Sequence, residues 1–428
     1  MAVRDVLGRT FASLAVRNFR LFAGGQLVSV AGTWMMVVAQ DWLVLSLTGD
    51  SAGALGVVTA LQFTPLLCLT LYAGGLADRH DKRRLLIAAN LVSAGFAAAL
   101  AALVLTGRVQ LWHVYLFALV LGTVNAVEVP ARMSFVSELV GAELLPNASA
   151  LSAAYFNIAR VTGPAAAGLL VAWWGTGPVM LVNAVSYGAS VAGLRLIRPS
   201  ELHRAGRRAE RAAVLEGVRH VLGRRDLLPP IALVAVTGMI GFNFQLTLPL
   251  LAKTVFRTDA AAFGLPTTAL AAGSLAAAFA TTGRRGRPAL RLVSWSALAF
   301  GLLQTLAGLA PGFGAALVLL FCLGFASVYF TQTANHHIQL GTDPAYRGRV
   351  MALYTLVFQG TTPVGALLTG AVSAAYGVRW TMVAAGLVCA AAAPTVSALA
   401  RRFPPVPGAV PGTDLTLPKE TGRSTAHS

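Results

Sequence analysis

Charge is scarce in this sequence of 428 residues: 11% is Asp, Glu, Lys or Arg, against 56% hydrophobic. A soluble chain of this length cannot hide so much apolar surface in its cores, so lipid is the expected solvent for most of it. Cysteine is scarcer still. Cys68, Cys322 and Cys389 lie in apolar runs without a matched pair or metal-ligand spacing, which excludes a disulfide framework. The phosphate-loop pattern G-x-x-x-x-G-K-[ST] is missing, so no ATP site is expected and an ion gradient is left as the energy source. No nucleophile, base and orienter can be assembled from the loops, so the chain is not expected to be an enzyme, and no cofactor is implied. The first sixteen residues lack the apolar stretch and small-residue site of a cleavable signal, so insertion is expected to use the first span itself.

Apolar runs are what the sequence has in plenty. A helical crossing needs roughly 20 mainly apolar residues, and runs of that length fall near 18–47, 51–77, 84–106, 110–134, 146–173 and 177–197. Six more follow near 229–256, 262–282, 290–310, 314–340, 348–375 and 379–400. This predicts an all-α membrane protein of twelve transmembrane helices. The formal net charge of +17 invites a nucleic-acid reading, but the cations cluster at alternate breaks. Arg4, Arg9, Arg17 and Arg20, then Arg79 to Arg84, Arg132, the run from Arg195 to Arg225, Arg284 to Arg291, and Arg347 with Arg349 share one side. Arg108, Lys253, Arg257 and Arg379 are left for the other. Retention of positive loops inside accounts for that asymmetry, excludes a nucleic-acid partner, and predicts an inner-membrane protein with both termini cytoplasmic. Arginine-heavy, alanine-rich usage is in keeping with a GC-rich bacterial genome.

The longest polar stretch, residues 198–228, divides the chain into a bundle of six helices over 1–197 and a second over 229–402. From about Arg207 to Leu222 the linker can form a basic amphipathic helix on the anionic leaflet. Residues 403–428, rich in Pro, Gly and Thr, predict a disordered tail. Prolines within the fifth and eleventh runs, Pro164 and Pro363, occupy corresponding helices of the two halves, as a duplicated unit requires.

The loop after the second run reads Gly74-Gly75-Leu76-Ala77-Asp78-Arg79-His80-Asp81-Lys82-Arg83-Arg84. Any cytoplasmic loop should be basic, but that does not explain two aspartates three apart in so tight a turn. The pattern resembles the signature loop of the major facilitator superfamily, departing only in Asp81 where many members have glycine. The segments PARMSFVSELVGAELLPNASAL, NIARVTGPAAAGLL and RGRVMALYTLVFQGTTPVGALLTG, with RNFRLFAGGQLVSVAG near the start, are similar to the branch that includes the bacterial enterobactin exporter and related multidrug efflux proteins. That resemblance covers about residues 16–400. It implies export of small molecules, usually in exchange for protons. It also implies that Asp78 meets the amino terminus of the eleventh span, where exposed amides and the helix dipole favour an anion, closing the cytoplasmic side. Arg79 and Arg83 would brace this contact through Asp81 and Glu138. Gly163, Pro164 and Gly168 resemble the antiporter motif of the family; close helix packing is the plainer reading.

Charge at membrane depth marks a pathway by default. Asp41 lies within about 60° of Gln26 at 100° per residue, on a first span where Gln26, Ser29, Thr33, Trp34 and Gln40 suggest a cavity face. It is the candidate for proton coupling, since desolvation favours a protonatable carboxyl; a helix-end cap is the other reading. Glu128 and Arg132 share a helix face and can pair, with a gating role at the cytoplasmic rim preferred to substrate contact. Arg160 can meet an anionic substrate, meet Glu128, or snorkel to headgroups. On the tenth span Gln332, Asn335, His336 and Gln339 share a face; His336 and His337 point about 100° apart and make a poor metal pair. Gln62, Asn243, Gln245 and Gln359 complete the cavity candidates.

Together these features predict a proton-coupled exporter of small organic molecules, drugs or natural products, working by alternating access between the halves. A dedicated siderophore or natural-product exporter is the alternative within transport. A non-transporting receptor or scaffold on the same fold is the alternative outside it, and needs a structured soluble domain. A lipid-modifying enzyme would have only His336 and His337 to work with.

Overall fold

A computed structural model describes residues 11–203, 219, 221, 224, 226–283, 286–344 and 346–402, without the side chains of 70–79, 397 and 399–402. The amphipathic helix expected in the linker and the tail expected to be disordered lie outside the described residues.

Eleven helices in the described residues are long and apolar enough to cross a membrane. They are Arg17–Thr48, Ala52–Arg79, Lys82–Leu105, Leu111–Trp174, Thr176–Leu196, Leu228–Val255, Ala260–Thr281, Leu290–Gly308, Phe313–Gly341, Arg347–Tyr376 and Val378–Arg402. One of them is two spans. Leu111–Trp174 has 64 residues, which at 1.5 Å per residue would reach about 96 Å if straight, three times the hydrocarbon thickness. At Gly141 the backbone takes φ +72° and ψ −179°, a conformation that a side chain disfavours, and the chain reverses there. Both ends of the segment accordingly return to one side. Leu111 follows Leu105 by a short loop, while Gly177, just after Trp174, packs on Val104 and Leu105. With 111–140 as the fourth span and 142–174 as the fifth, the fold is all-α with twelve spans.

Each half has its own aromatic packing, and Arg83, Arg198, Arg224 and Arg287 mark one end of the molecule, called the basic end below. Phe22 meets Phe135 edge-on at 5.7 Å in the first half, and Phe242 stacks on Phe300 at 4.9 Å in the second. The seventh span departs from a regular helix, with π-helical turns at Thr237–Gly241 and Leu251–Val255 on either side of Phe244–Leu250. The eleventh breaks at Thr361, just before Pro363, into Arg347–Gly360 and Thr362–Tyr376. Both are irregular at membrane depth, which is tolerated where protein or a water-lined cavity satisfies the freed backbone groups.

Away from the basic end the halves press together. A Cβ on Gly56 in the second span would stand 2.9 Å from the Ala366 carbonyl of the eleventh, and one on Gly168 in the fifth would stand 2.6 Å from the Ala261 carbonyl of the eighth. Small residues thus let the backbones approach. Thr268 adds a hydrogen bond across the same seam, its hydroxyl donating to the Val161 carbonyl at 3.1 Å.

Candidate functional site: a polar cavity at membrane depth

A cavity of about 310 Å³ opens between the spans of the first half and reaches the seventh span through Gln245. The first span supplies Gln26, Ser29, Val30, Thr33, Trp34 and Val37, a run spaced by three and four that presents one helix face. Gln62 comes from the second span, Asn90 and Ser93 from the third, Asn125, Glu128 and Arg132 from the fourth, Phe156 from the fifth and Tyr187 from the sixth. Many of these polar groups are tied down. Gln26 Nε2 donates to Ser190 Oγ at 3.3 Å, Thr33 Oγ1 lies 3.4 Å from the Tyr187 hydroxyl, and Asn90 Nδ2 donates to the Leu86 carbonyl at 2.8 Å. Trp34 and Phe156 meet edge-on at 6.1 Å and give the wall an aromatic corner.

The structure gathers Gln26, Thr33, Trp34, Gln62 and Gln245 around this space; Gln40, Asp41, Arg160, Asn243, Gln332, Asn335, His336 and Gln359 are not among its lining residues. Gln40 is buried, the Asn243 amide donates to the Met239 carbonyl at 2.8 Å, and Gln332 and Gln359 are exposed. Asp41 is 6% exposed and lies one turn beyond Val37 on the face that lines the cavity. Glu128 and Arg132 do pair, with Arg132 Nε 3.0 Å from Glu128 Oε1, but deeper than the rim expected of them. The fourth helix continues to Gly141 rather than ending near residue 134, which puts Glu128 about 20 Å from its basic end at 1.5 Å per residue. Arg160 does not reach Glu128. Its guanidinium stands 5.8 Å from the centre of the Trp34 ring.

Of the signature loop, the side chains of Gly74, Asp78 and Arg79 lie outside the described residues. Asp81 caps the third span, accepting from the Arg84 amide at 3.1 Å and satisfying one exposed donor of that helix end. Arg83 donates to the Leu194 carbonyl at 2.7 Å and the Arg195 carbonyl at 2.9 Å, so it braces the sixth span; Glu138 takes Lys82 as its partner. Gly163 packs on the Trp34 Cβ, Pro164 offers its carbonyl to Gly264, and Gly168 faces Ala261. The three residues of the antiporter-like motif therefore sit in the seam that joins the fifth span to the first and the eighth.

Two clusters escaped the sequence reading. At the end opposite the basic one, Lys253 of the second half lies 2.9 Å from Asp50 of the first, donates to Ser46 Oγ at 3.1 Å, and stands 4.8 Å from the Trp42 ring centre. Trp42 also meets Phe263 edge-on at 4.9 Å. Lys253 had stood out as a rare cation on its side, but nothing in sequence pointed to Asp50, some 200 residues away. At the basic end Asp226 binds Arg224 at 3.0 Å and Arg287 at 2.9 Å, and Arg287 Nη2 lies 3.0 Å from His337 Nε2. Burial pushes the Asp226 carboxyl up, but hydrogen bonds and charge from the two arginines outweigh it and hold the group below its usual value. Arg287 belongs to the loop after the eighth span, the counterpart of the signature loop, which is the signal that could have found it. Among the described residues no group of three or more His, Cys, Asp or Glu is placed to hold a metal ion.

Twelve spans in two bundles around a polar cavity define a transporter of the major facilitator type. The chain belongs to the family described as transmembrane secretion effector, whose model matches residues 8–407. It is 29% identical over 383 residues to the multidrug efflux pump Tap of Mycobacterium tuberculosis, covering 84% of this chain and 88% of that protein. It is 25% identical over 371 residues to the staphyloferrin A transporter of Staphylococcus aureus, covering 84% of this chain and 90% of the relative. Among solved structures, a bacterial homolog of the human lysosomal transporter Spinster, inward-facing and unoccupied, superposes with a TM-score of 0.73 at 14% identity, covering 91% of this chain and 98% of the other; this likeness speaks to the fold.

Proposed function

We propose that this protein exports small, partly hydrophobic organic molecules across the inner membrane in exchange for protons, by alternating access to the cavity at Trp34 and Glu128. The observation that carries the reading is that cavity: polar and aromatic groups gathered at membrane depth, where polar groups are costly without a function. The basic end is the cytoplasmic one in this reading, with both termini there. The halves closed together at Asp50 and Lys253 then leave substrate to enter from the cytoplasm. Asp41 is the proton-coupling residue: buried on the cavity face of the first span and one turn past the lining residue Val37, it can exchange a proton as the outer seam opens. Kinship with an efflux pump supports the export direction, and kinship with a staphyloferrin A transporter keeps a dedicated siderophore or natural-product exporter as the second reading. Small-molecule substrate, proton and lipid are the partners; neither ATP nor nucleic acid takes part.

The test is reconstitution in vesicles with an imposed pH gradient and a panel of fluorescent drugs. Gradient-driven transport that falls at least about tenfold in Asp41→Asn is the expected result. Transport that ignores both the gradient and the substitution defeats the coupling claim.

A further inference from the structure

We infer that the cavity recognises an organic anion, and that Arg160 is the group that binds its carboxylate. The inference rests on reading the cavity as the substrate site, and it adds the chemical class of the substrate.

Arg160 lies in the fifth span, fourteen residues past Pro146 or about 21 Å along the helix, so its Cα is near mid-membrane. Among the described residues the guanidinium has no hydrogen bond and no ion pair, and it stands over Trp34, 5.8 Å from the ring centre. The acid of the cavity wall is taken: Glu128 holds Arg132 at 3.0 Å. Arg160 is not itself a lining residue, but it packs on Trp34, which is, and follows the lining residue Phe156 by one turn; it therefore borders the cavity as a cation without an anion, while Glu128 and Arg132 neutralise each other. A guanidinium over an indole ring keeps its five N–H donors for another partner. Charge without a counter-ion at this depth is costly, so a permanent partner would be expected if the role were structural. An anion that arrives and leaves with each transport cycle satisfies the charge only while substrate is bound. Carboxylate matches the guanidinium fork with two parallel hydrogen bonds. Trp34 and Phe156, one turn before Arg160, provide a flat apolar corner for an aryl body, and Ser29 and Thr33 lie on the same side of the first span. The substrate class is a small aryl or amphiphilic carboxylate.

The test compares 1-naphthaleneacetate with its near-isosteric neutral amide, 1-naphthaleneacetamide, by calorimetry at pH 7. The full-length protein is held in phosphatidylcholine nanodiscs, so that no anionic headgroup competes. We expect the acid to bind at least about tenfold tighter than the amide. Arg160→Gln should abolish that preference by weakening the acid far more than the amide, and Arg160→Lys should retain part of it. In the absence of ligand Arg160→Gln should melt no lower than the parent, because it removes an unmatched charge; a packing role would lower the melting temperature and weaken both probes alike. Equal affinity for acid and amide, binding of neither probe, or an acid preference that survives in Arg160→Gln overturns the inference. Binding at equilibrium needs no gradient. Transport indifferent to pH with the acid preference intact therefore removes proton coupling alone, and gradient-driven transport of neutral drugs without any acid preference removes this inference alone.

Discussion

Glu128 and Arg132 show what a single pair contributes at membrane depth. The two side chains are 16% and 19% exposed and 3.0 Å apart, so each supplies the counter-charge that lipid and cavity cannot. Removing one partner leaves the other uncompensated, at a typical cost of about 3–5 kcal/mol. Glu128→Gln should accordingly lower the melting temperature in detergent more than the double substitution Glu128→Gln with Arg132→Gln. A double variant at least as unstable as the single one would show that the pair is not the source of the loss. Asp226 gives a prediction in pH. Its carboxyl is held below the usual value by Arg224 and Arg287, so its contribution is present above the ordinary carboxylate range and is lost as pH falls below about 4. Parent protein should lose melting temperature on acidification through that window, while Asp226→Asn should start lower at neutral pH and change less; equal acid sensitivity of the two would count against the network. On the first span the polar residues that line the cavity were legible in sequence, because Gln26, Ser29 and Thr33 repeat at helical spacing. Asn90, Ser93 and Tyr187 were not, since a few polar side chains in an apolar helix give no direction until the neighbouring helices are placed.

Helices carry the same lesson at the next scale. Their positions could be read because each crossing imposes its own length of apolar sequence, and the structure follows those runs closely. Their irregularities could not. The π-helical turns around Phe244–Leu250 change the hydrogen-bond spacing without changing composition, and the fourth helix continues past Ser134 to Gly141, where Phe135, Val136, Leu139 and Val140 join one buried cluster with Leu194 and Ile197 and Glu138 takes Lys82. The seam between the halves depends on the last turn of the first span with Ser46, on Asp50 just beyond its end, and on the π-helical turn Leu251–Val255 that delivers Lys253. Asp50 is 38% exposed, so the pair is worth at most about 1 kcal/mol, or roughly fivefold in the balance between closed and open outer ends. In a variant lacking Cys68, Cys322 and Cys389, a cysteine at Thr33 should react up to about fivefold faster with membrane-impermeant maleimide from outside when Lys253→Met or Asp50→Asn is added. Exchanging the charges, Asp50→Lys with Lys253→Asp, should restore slow labelling; rates unchanged in all three would remove the pair from the gate. Gly168→Leu should act in the same direction and more strongly, since a Cβ there already stands 2.6 Å from the Ala261 carbonyl.

At the scale of the whole molecule the two halves are built alike but take unequal shares of the site. The first lines the cavity with six helices, while Gln245 is the lining residue from the second. Substrate should therefore ride with the first half, and the second should act as the moving wall whose seventh and eleventh spans, already broken at Asn243 and Thr361, bend as it rocks. Both seams cannot be closed by the same pose of two rigid bundles, so fastening the outer seam must stop transport rather than slow it. Ser46 and Lys253 are suited to the fastening, since their side chains meet at 3.1 Å across the halves. Cysteines at both positions, in the variant without native cysteines, can be joined by a short bifunctional methanethiosulfonate and released by dithiothreitol. Vesicle transport should fall to background on joining, return on reduction, and be unaffected by the reagent when either cysteine is present alone. The joined protein should still bind ligand from the basic end, because the cavity is reached without parting Asp50 from Lys253. Continued transport by fully joined protein would mean that substrate crosses without the outer seam opening, and a rocking pair of bundles would no longer describe how this protein works.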